Sequence, residues 1–80
     1  MFYVYILQSR KDNRYYIGST GNLNQRLENH NQGLVKSTKS RLPFELIHYE
    51  LYKTLSEARK RENQIKRYKG GNEFKKILQK

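Results

Sequence analysis

The stretch RYYIGSTGNLNQRLENH, residues Arg14 to His30, decides how the rest of the chain is read. Tyr15 to Gly18 is a short run of strand formers, and Gly21 breaks the chain after it. Asn22 is a good N-cap for a helix from Leu23 to about Gln32, and Gly33 suits the position that closes such a helix. At about 100° per residue, Leu23, Leu27 and His30 fall in a narrow sector with Arg26 on its flank. Asn24, Gln25, Glu28 and Asn29 cover the other side. The helix thus puts two cations, Arg26 and His30, on the face that it should bury, where charged side chains are rare unless paired.

Upstream, Phe2 to Leu7 is β-branched, aromatic or aliphatic throughout. Phe2, Val4 and Ile6 point one way along a strand, and Tyr3, Tyr5 and Leu7 the other. Asp12-Asn13 is a turn signal, so this strand and Tyr15 to Gly18 form an antiparallel hairpin whose register stays open. Downstream, Leu34 to Leu42 is a basic loop carrying Lys36, Lys39 and Arg41, and Pro43 ends it. Phe44 to Leu51 reads as a third strand. Thr54 and Glu57 form a capping box that starts a second helix running to about Lys69, and Gly70-Gly71 stops it. Asn72 caps a short last helix, Glu73 to Gln79. Repeats, low-complexity tracts and linkers are absent.

Eighty residues make one domain at most, with a thin core. The absence of cysteine excludes a disulfide framework and thiolate metal sites, and favours a reducing cytoplasm. No apolar run approaches the ~20 residues of a membrane span, and MFYVYIL is too short for a signal peptide. Seventeen Lys and Arg against seven Asp and Glu give a charge of +10, which attracts polyanions, most often nucleic acid. A basic, non-specific surface of the ribosome-associated kind is the other reading of that charge.

The second helix repeats the anomaly of the first. Leu55, Ala58 and Ile65 form its apolar stripe, and Glu62 lies within it. Arg59, Lys60, Arg61, Lys66 and Arg67 occupy much of the remainder. An unpaired carboxylate buried there would cost several kcal/mol or take up a proton. Taken singly, each unusual residue has an ordinary explanation. Tyr5 and Tyr16 are sheet packing with hydroxyls at the rim. Arg26 and Glu62 are a structural ion pair between helices. His30 is a cation at a helix end, favourable to the macrodipole. His48, on the third strand, is read as packing. Taken together, Tyr5, Tyr16, Arg26, His30 and Glu62 supply phenol, guanidinium, imidazole and carboxylate from four elements. Those are the parts that phosphodiester hydrolysis needs: deprotonation of a water, neutralisation of charge on phosphorus and accommodation of the leaving oxygen. One carboxylate can hold a Mg²⁺ that keeps several waters, and arginine's fork suits phosphate.

The ordered set of motifs resembles the GIY-YIG nuclease superfamily, in particular its small single-domain bacterial branch. Tyr3-Val4-Tyr5 stands where many members have Gly-Ile-Tyr, and Tyr16-Ile17-Gly18 matches the second signature fully. Arg26 and His30 fit the family's Arg-x-x-x-His pattern. Glu57 to Lys66 matches the acidic helix signature with Glu62 at the metal position. Asn72 is the nearest counterpart of an asparagine that many larger members carry after that helix. The resemblance covers nearly the whole chain. It implies an α/β sandwich, a central three-stranded antiparallel sheet flanked by helices, and metal-dependent cleavage of DNA phosphodiesters by a single-metal mechanism.

Carried over residue by residue, the resemblance implies Glu62 as ligand of Mg²⁺ or another divalent metal such as Mn²⁺. Arg26 stabilises charge on the phosphate. Tyr5 or Tyr16 acts as general base or positions the water, and His30 assists proton transfer or orients a tyrosine. Gly18 lets the backbone come close to the following turn. The expected protein is a cytoplasmic endonuclease of low sequence specificity, favoured as a monomer, acting on branched or damaged DNA in repair or recombination. Lys36, Lys39, Arg41, Arg59 and Lys66 are its expected phosphate contacts. The competing expectation is a nucleic-acid-binding module of the same fold without cleavage.

Overall fold

The computed structural model of the chain describes residues 1–69 and 71–78. Strands β1 (Phe2–Ser9), β2 (Tyr15–Thr20) and β3 (Phe44–Tyr52) form one antiparallel sheet in the order β2-β1-β3. β1 is central because it is apolar on both sides: Val4, Tyr5, Ile6 and Leu7 are all buried. Its alternation sorts two cores. Val4 and Ile6 pack with Ile17, Ala58, Ile65 and Phe74 beneath helices α2 (Leu55–Tyr68) and α3 (Asn72–Leu78). Tyr5 and Leu7 pack with Phe44, Tyr16, Leu23 and Leu27 beneath helix α1 (Leu23–Asn31). The expected α/β sandwich is therefore the observed one.

The turn after β1 fixes the register that the sequence left open. Asn13 takes a left-handed backbone (φ 61°), Asp12 Oδ1 accepts from Arg14 N at 2.9 Å, and Ser9 N donates to Arg14 O at 2.8 Å. Tyr5 then pairs with Gly18 and Leu7 with Tyr16. Asn22 caps α1 by accepting from Gln25 N at 3.1 Å. At the other end, the Asn31 carboxamide accepts from Phe44 N and donates to Phe44 O, tying α1 to the start of β3. Thr54 and Glu57 form the expected capping box of α2.

The element boundaries differ modestly from those expected. β2 continues through Thr20 and β3 through Tyr52, because the antiparallel ladders extend that far. α1 closes at Asn31, α2 at Tyr68, and Asn72 is the first residue of α3. The expected stop at Gly70 and the end of the last helix at Gln79 lie outside the described residues. The basic loop contains a short 3-10 turn, Lys39–Arg41. Leu55 is exposed, although it was expected in the apolar stripe of α2; Ala58 and Ile65 are buried as expected. No helix among the described residues is long and apolar enough to cross a membrane.

Candidate active site

β1, β2 and α1 bring four of the five expected residues into one linked set. Tyr5 Oη lies 3.2 Å from His30 Nε2 and accepts from Arg26 Nε at 3.4 Å. Tyr16 stands beside them, its ring edge-on to His30 at 4.8 Å between centroids and 6.3 Å from the Tyr5 ring. The hairpin register explains the grouping: Tyr5 pairs with Gly18, so Tyr16 and Gly18 share its face. A Cβ on Gly18 would stand 2.6 Å from Tyr5 Oη. The glycine therefore makes room for the phenol across the sheet, whereas the sequence reading assigned it to the following turn.

His30 is completely buried and is not the cation the sequence reading assumed. Burial, with the neighbouring Arg26 charge in support, pushes its pKa down to about 4, so the ring is neutral near pH 7. Its tautomer follows from Thr38. The Thr38 hydroxyl donates to Val35 O at 3.3 Å, so Thr38 Oγ1 accepts from His30 Nδ1 at 2.9 Å. His30 Nε2 then carries the lone pair and accepts the Tyr5 proton. Burial raises the Tyr5 pKa, and the hydrogen bond from Arg26 opposes that rise. Tyr5, at 1% exposure, lies beneath the surface, while Tyr16 and Arg26 are half-buried and form the rim.

Glu62 reaches the site from the other side of edge strand β2. Its Oε1 accepts from Ser19 Oγ at 2.6 Å, and its Oε2 pairs with Lys66 Nζ at 2.7 Å. Ser19 follows Gly18 and points to the α2 face, so Glu62 and the phenols flank one short piece of β2. The Glu62 side chain is only 17% exposed, yet its partner Lys66 is half-exposed on a flexible stem. The partners of Glu62 are thus Ser19 and Lys66; the ion pair with Arg26 offered as a structural explanation is not the observed arrangement.

A single carboxylate whose cationic partner, Lys66, is half-exposed suits a divalent ion that is bound mainly by water and by substrate phosphate, which is the habit of Mg²⁺. No cluster of three or more acidic, histidine or cysteine side chains that could hold a metal ion occurs among the described residues.

The cations expected on the nucleic-acid surface are placed unevenly. Lys36, Lys39 and Arg59 are exposed. Lys66 is held by Glu62. Arg41 is half-buried, paired with Asp12 and lying over the Phe44 ring, and its Nη2 donates to Tyr15 O at 3.5 Å. Lys69 donates to the same carbonyl at 2.8 Å. Burial first, then the charges of Arg41, Arg14 and Lys66, lower the Lys69 pKa. Arg14 and Lys69 were missed, as were Ser19 and Thr38. Ser19 adjoins the Tyr-Ile-Gly signature, but only the fold shows that it meets α2. The contact between Thr38 and His30 depends on how the basic loop folds back. His48, given no role in the site, pairs with Glu50, which also binds Arg61 and Tyr52 on the α2 face.

A family model for the GIY-YIG catalytic domain matches residues 1–75. A UPF0213 protein of Syntrophus aciditrophicus (strain SB) is 43% identical over 79 residues, covering 96% of this chain and 90% of its own. A UPF0213 protein of Staphylococcus aureus (strain Mu3 / ATCC 700698) is 45% identical over 67 residues, 82% of this chain and 80% of its own. The solution NMR structure of the UPF0213 protein BH0048 from Bacillus halodurans aligns over 98% of this chain and 82% of its own, with a TM-score of 0.55 and 31% identity. With the signature tyrosines, arginine, histidine and glutamate disposed about one short strand, the chain belongs to the GIY-YIG nuclease family.

Proposed function

We propose that the protein is a metal-dependent endonuclease that cleaves DNA phosphodiester bonds with low sequence specificity. The observation that carries this reading is the linked set Arg26–Tyr5–His30 on one face of the sheet, with Glu62 held by Ser19 on the other side of β2. A structural ion pair would need neither the neutral imidazole nor the phenol held between imidazole and guanidinium.

Arg26 commits Nε to Tyr5, which leaves its terminal nitrogens, beside Tyr16, for the scissile phosphate. Tyr16, partly exposed where Tyr5 is covered, holds the attacking water. As the water attacks phosphorus, the bond to the leaving sugar oxygen breaks; the water's proton goes to the Tyr5 hydroxyl as Tyr5 passes its own to neutral His30, and the leaving oxygen takes a proton from solvent. Thr38 holds the imidazole in the tautomer that can accept. Glu62 would hold a Mg²⁺ or Mn²⁺ ion, with Ser19 orienting the carboxylate and Lys66 released from it. When bound, such an ion neutralises charge on the phosphoryl oxygens.

A cation row places the DNA. Lys66 pairs with Glu62, Lys69 donates to the Tyr15 carbonyl at the start of β2 with Arg14 preceding it in the chain, and these add to the exposed Lys36, Lys39 and Arg59. These groups meet phosphates and carry no base information, which accords with low sequence specificity. Branched or damaged DNA, as met in repair or recombination, is the proposed substrate class.

Nicking of supercoiled and branched DNA in Mg²⁺ or Mn²⁺ tests the reading, with EDTA, Glu62→Ala and Tyr16→Phe as controls. Cleavage by the wild type that all three controls abolish is expected. Binding of DNA without cleavage under any divalent metal would instead make the protein a non-catalytic binding module.

A further inference from the structure

Helix α1 is short and leaves part of its face of the sheet uncovered. Tyr3, Leu51 and Tyr49 share the face of Tyr5, since Tyr3 pairs with Leu51 and Tyr5 with Tyr49. Tyr49 is 52% and Leu51 49% exposed. With Leu23 and the asparagines Asn22 and Asn24 at its rim, they bound an open cleft of about 360 Å³. Tyr49 and Leu51 leave aromatic and aliphatic surface open beside Tyr3 on this face.

We propose that this cleft is a nucleobase platform, which stacks an unpaired base of the DNA strand entering the active site. The inference rests on the nuclease reading for its ligand. Four features select this occupant. The Tyr3 and Tyr49 rings are 6.0 Å apart and inclined at 56°, so they do not cover one another. Tyr3 lies two residues from Tyr5 on one strand face, about 7 Å along β1, so the platform adjoins the site. Asn22 precedes Arg26 by one helical turn, so the cleft rim continues into the phosphate-binding arginine. The chain carries +10, which favours a polyanion and opposes close approach of a second copy. Tyrosine faces stack any base, and asparagine amides can bond to base edges. Duplex DNA hides its bases in the stack, so such a platform confers preference for single-stranded, flapped or damaged DNA over intact duplex.

The test is binding of oligonucleotides carrying 2-aminopurine in a single-stranded flap, against the same base in duplex. EDTA is present, so cleavage plays no part. The platform predicts a change in flap fluorescence on binding that Tyr49→Ala removes and Tyr49→Phe keeps. It also predicts that Tyr49→Ala weakens single-strand binding about tenfold while duplex affinity and salt dependence stay the same. Circular dichroism checks that the exposed-site variants are folded. Unchanged single-strand affinity in folded Tyr49→Ala would overturn the platform. So would absence of DNA binding by the wild type, or a wild-type dimer that Tyr49→Ala dissociates. A stacking signal in a protein that never cleaves in Mg²⁺ would support the platform and overturn the nuclease reading alone.

Discussion

The hydroxyl of Tyr5 occupies the place where a side chain on Gly18 would begin: a Cβ there would stand 2.6 Å from Tyr5 Oη and 2.8 Å from Tyr5 Cζ. The last residue of one signature is therefore the cavity for the last residue of the other. Gly18→Ala must displace the phenol from His30 Nε2 and Arg26 Nε, at about 1–3 kcal/mol in stability. Urea unfolding should show that loss, and DNA cleavage should fall with it. Gly21→Ala is the control: its Cβ would meet the Phe2 ring at an ordinary 3.6 Å, and both readouts should stay near wild type.

His30 makes stability depend on pH. The unfolded chain binds its proton near pH 6.5 and the folded chain only at about 4. Between those values the unfolded state binds more protons, so stability rises with pH. The contribution is complete above pH 6.5 and is lost as pH falls to about 4, up to about 3 kcal/mol. Glu50 acts lower. Burial pushes its carboxyl up, but hydrogen bonds from Arg61, His48 and Tyr52 prevail and bring it to about 2, so its contribution is lost from pH 4.5 downward. Thermal melts across pH 4 to 7 should show the upper slope in wild type and lack it in His30→Gln. An equal slope in both would mean that another group titrates there.

Ser19 is a positioning residue for Glu62. Ser19→Ala should lower the maximal cleavage rate about 10–100-fold and raise the Mg²⁺ concentration needed for half-maximal rate. Affinity for DNA in EDTA should not change, because Ser19 carries no charge. Glu62→Ala should leave the melting temperature of the metal-free protein near wild type. Its partner Lys66 is half-exposed and is not stranded in the core when the carboxylate goes. A sharp drop in melting temperature would point to a structural role for the carboxylate.

Lys69 and Arg41 donate to one carbonyl, that of Tyr15, with Arg14 and Lys66 close by. Such crowding of like charge is relieved by an anion. Lys69→Ala should weaken binding to all DNA sequences alike and reduce the slope of log K against log salt by about 1. Arg14→Ala should do the same. A variant that changes sequence preference while keeping the slope would contradict a phosphate contact.

The fold was legible because its cues are local and periodic. The alternation in Phe2–Ser9 places Val4 and Ile6 opposite Tyr5 and Leu7, and Asn22 and Thr54 cap where their side chains predict. The grouping of Tyr5, Tyr16, Arg26 and His30 was legible in outline because motif spacing follows helix and strand periods. What stayed hidden depends on long-range placement. The neutral state of His30 follows from its complete burial and from Thr38, eight residues on in a folded-back loop. The role of Gly18 needs the hairpin register, which the turn decides. Arg26 and Glu62 were natural partners by charge, yet α2 delivers the glutamate to Ser19 on the opposite side of β2. His48 and Glu50 share a face of the expected third strand, but their pairing is fixed by Arg61, which reaches Glu50 from α2 and so depends on the fold.

The central claim is that the phenols, Arg26, His30 and Glu62 act as one phosphodiester-cleaving site. Single-turnover nicking tests it most directly, with protein in excess over a bound branched DNA in Mg²⁺, comparing wild type with the neutral isostere Glu62→Gln. The account predicts cleavage by wild type and a fall on the order of 10²–10³ in the variant, at unchanged DNA affinity. Equal rates in the two proteins, or a wild type that binds the DNA fully and leaves it intact, would contradict it.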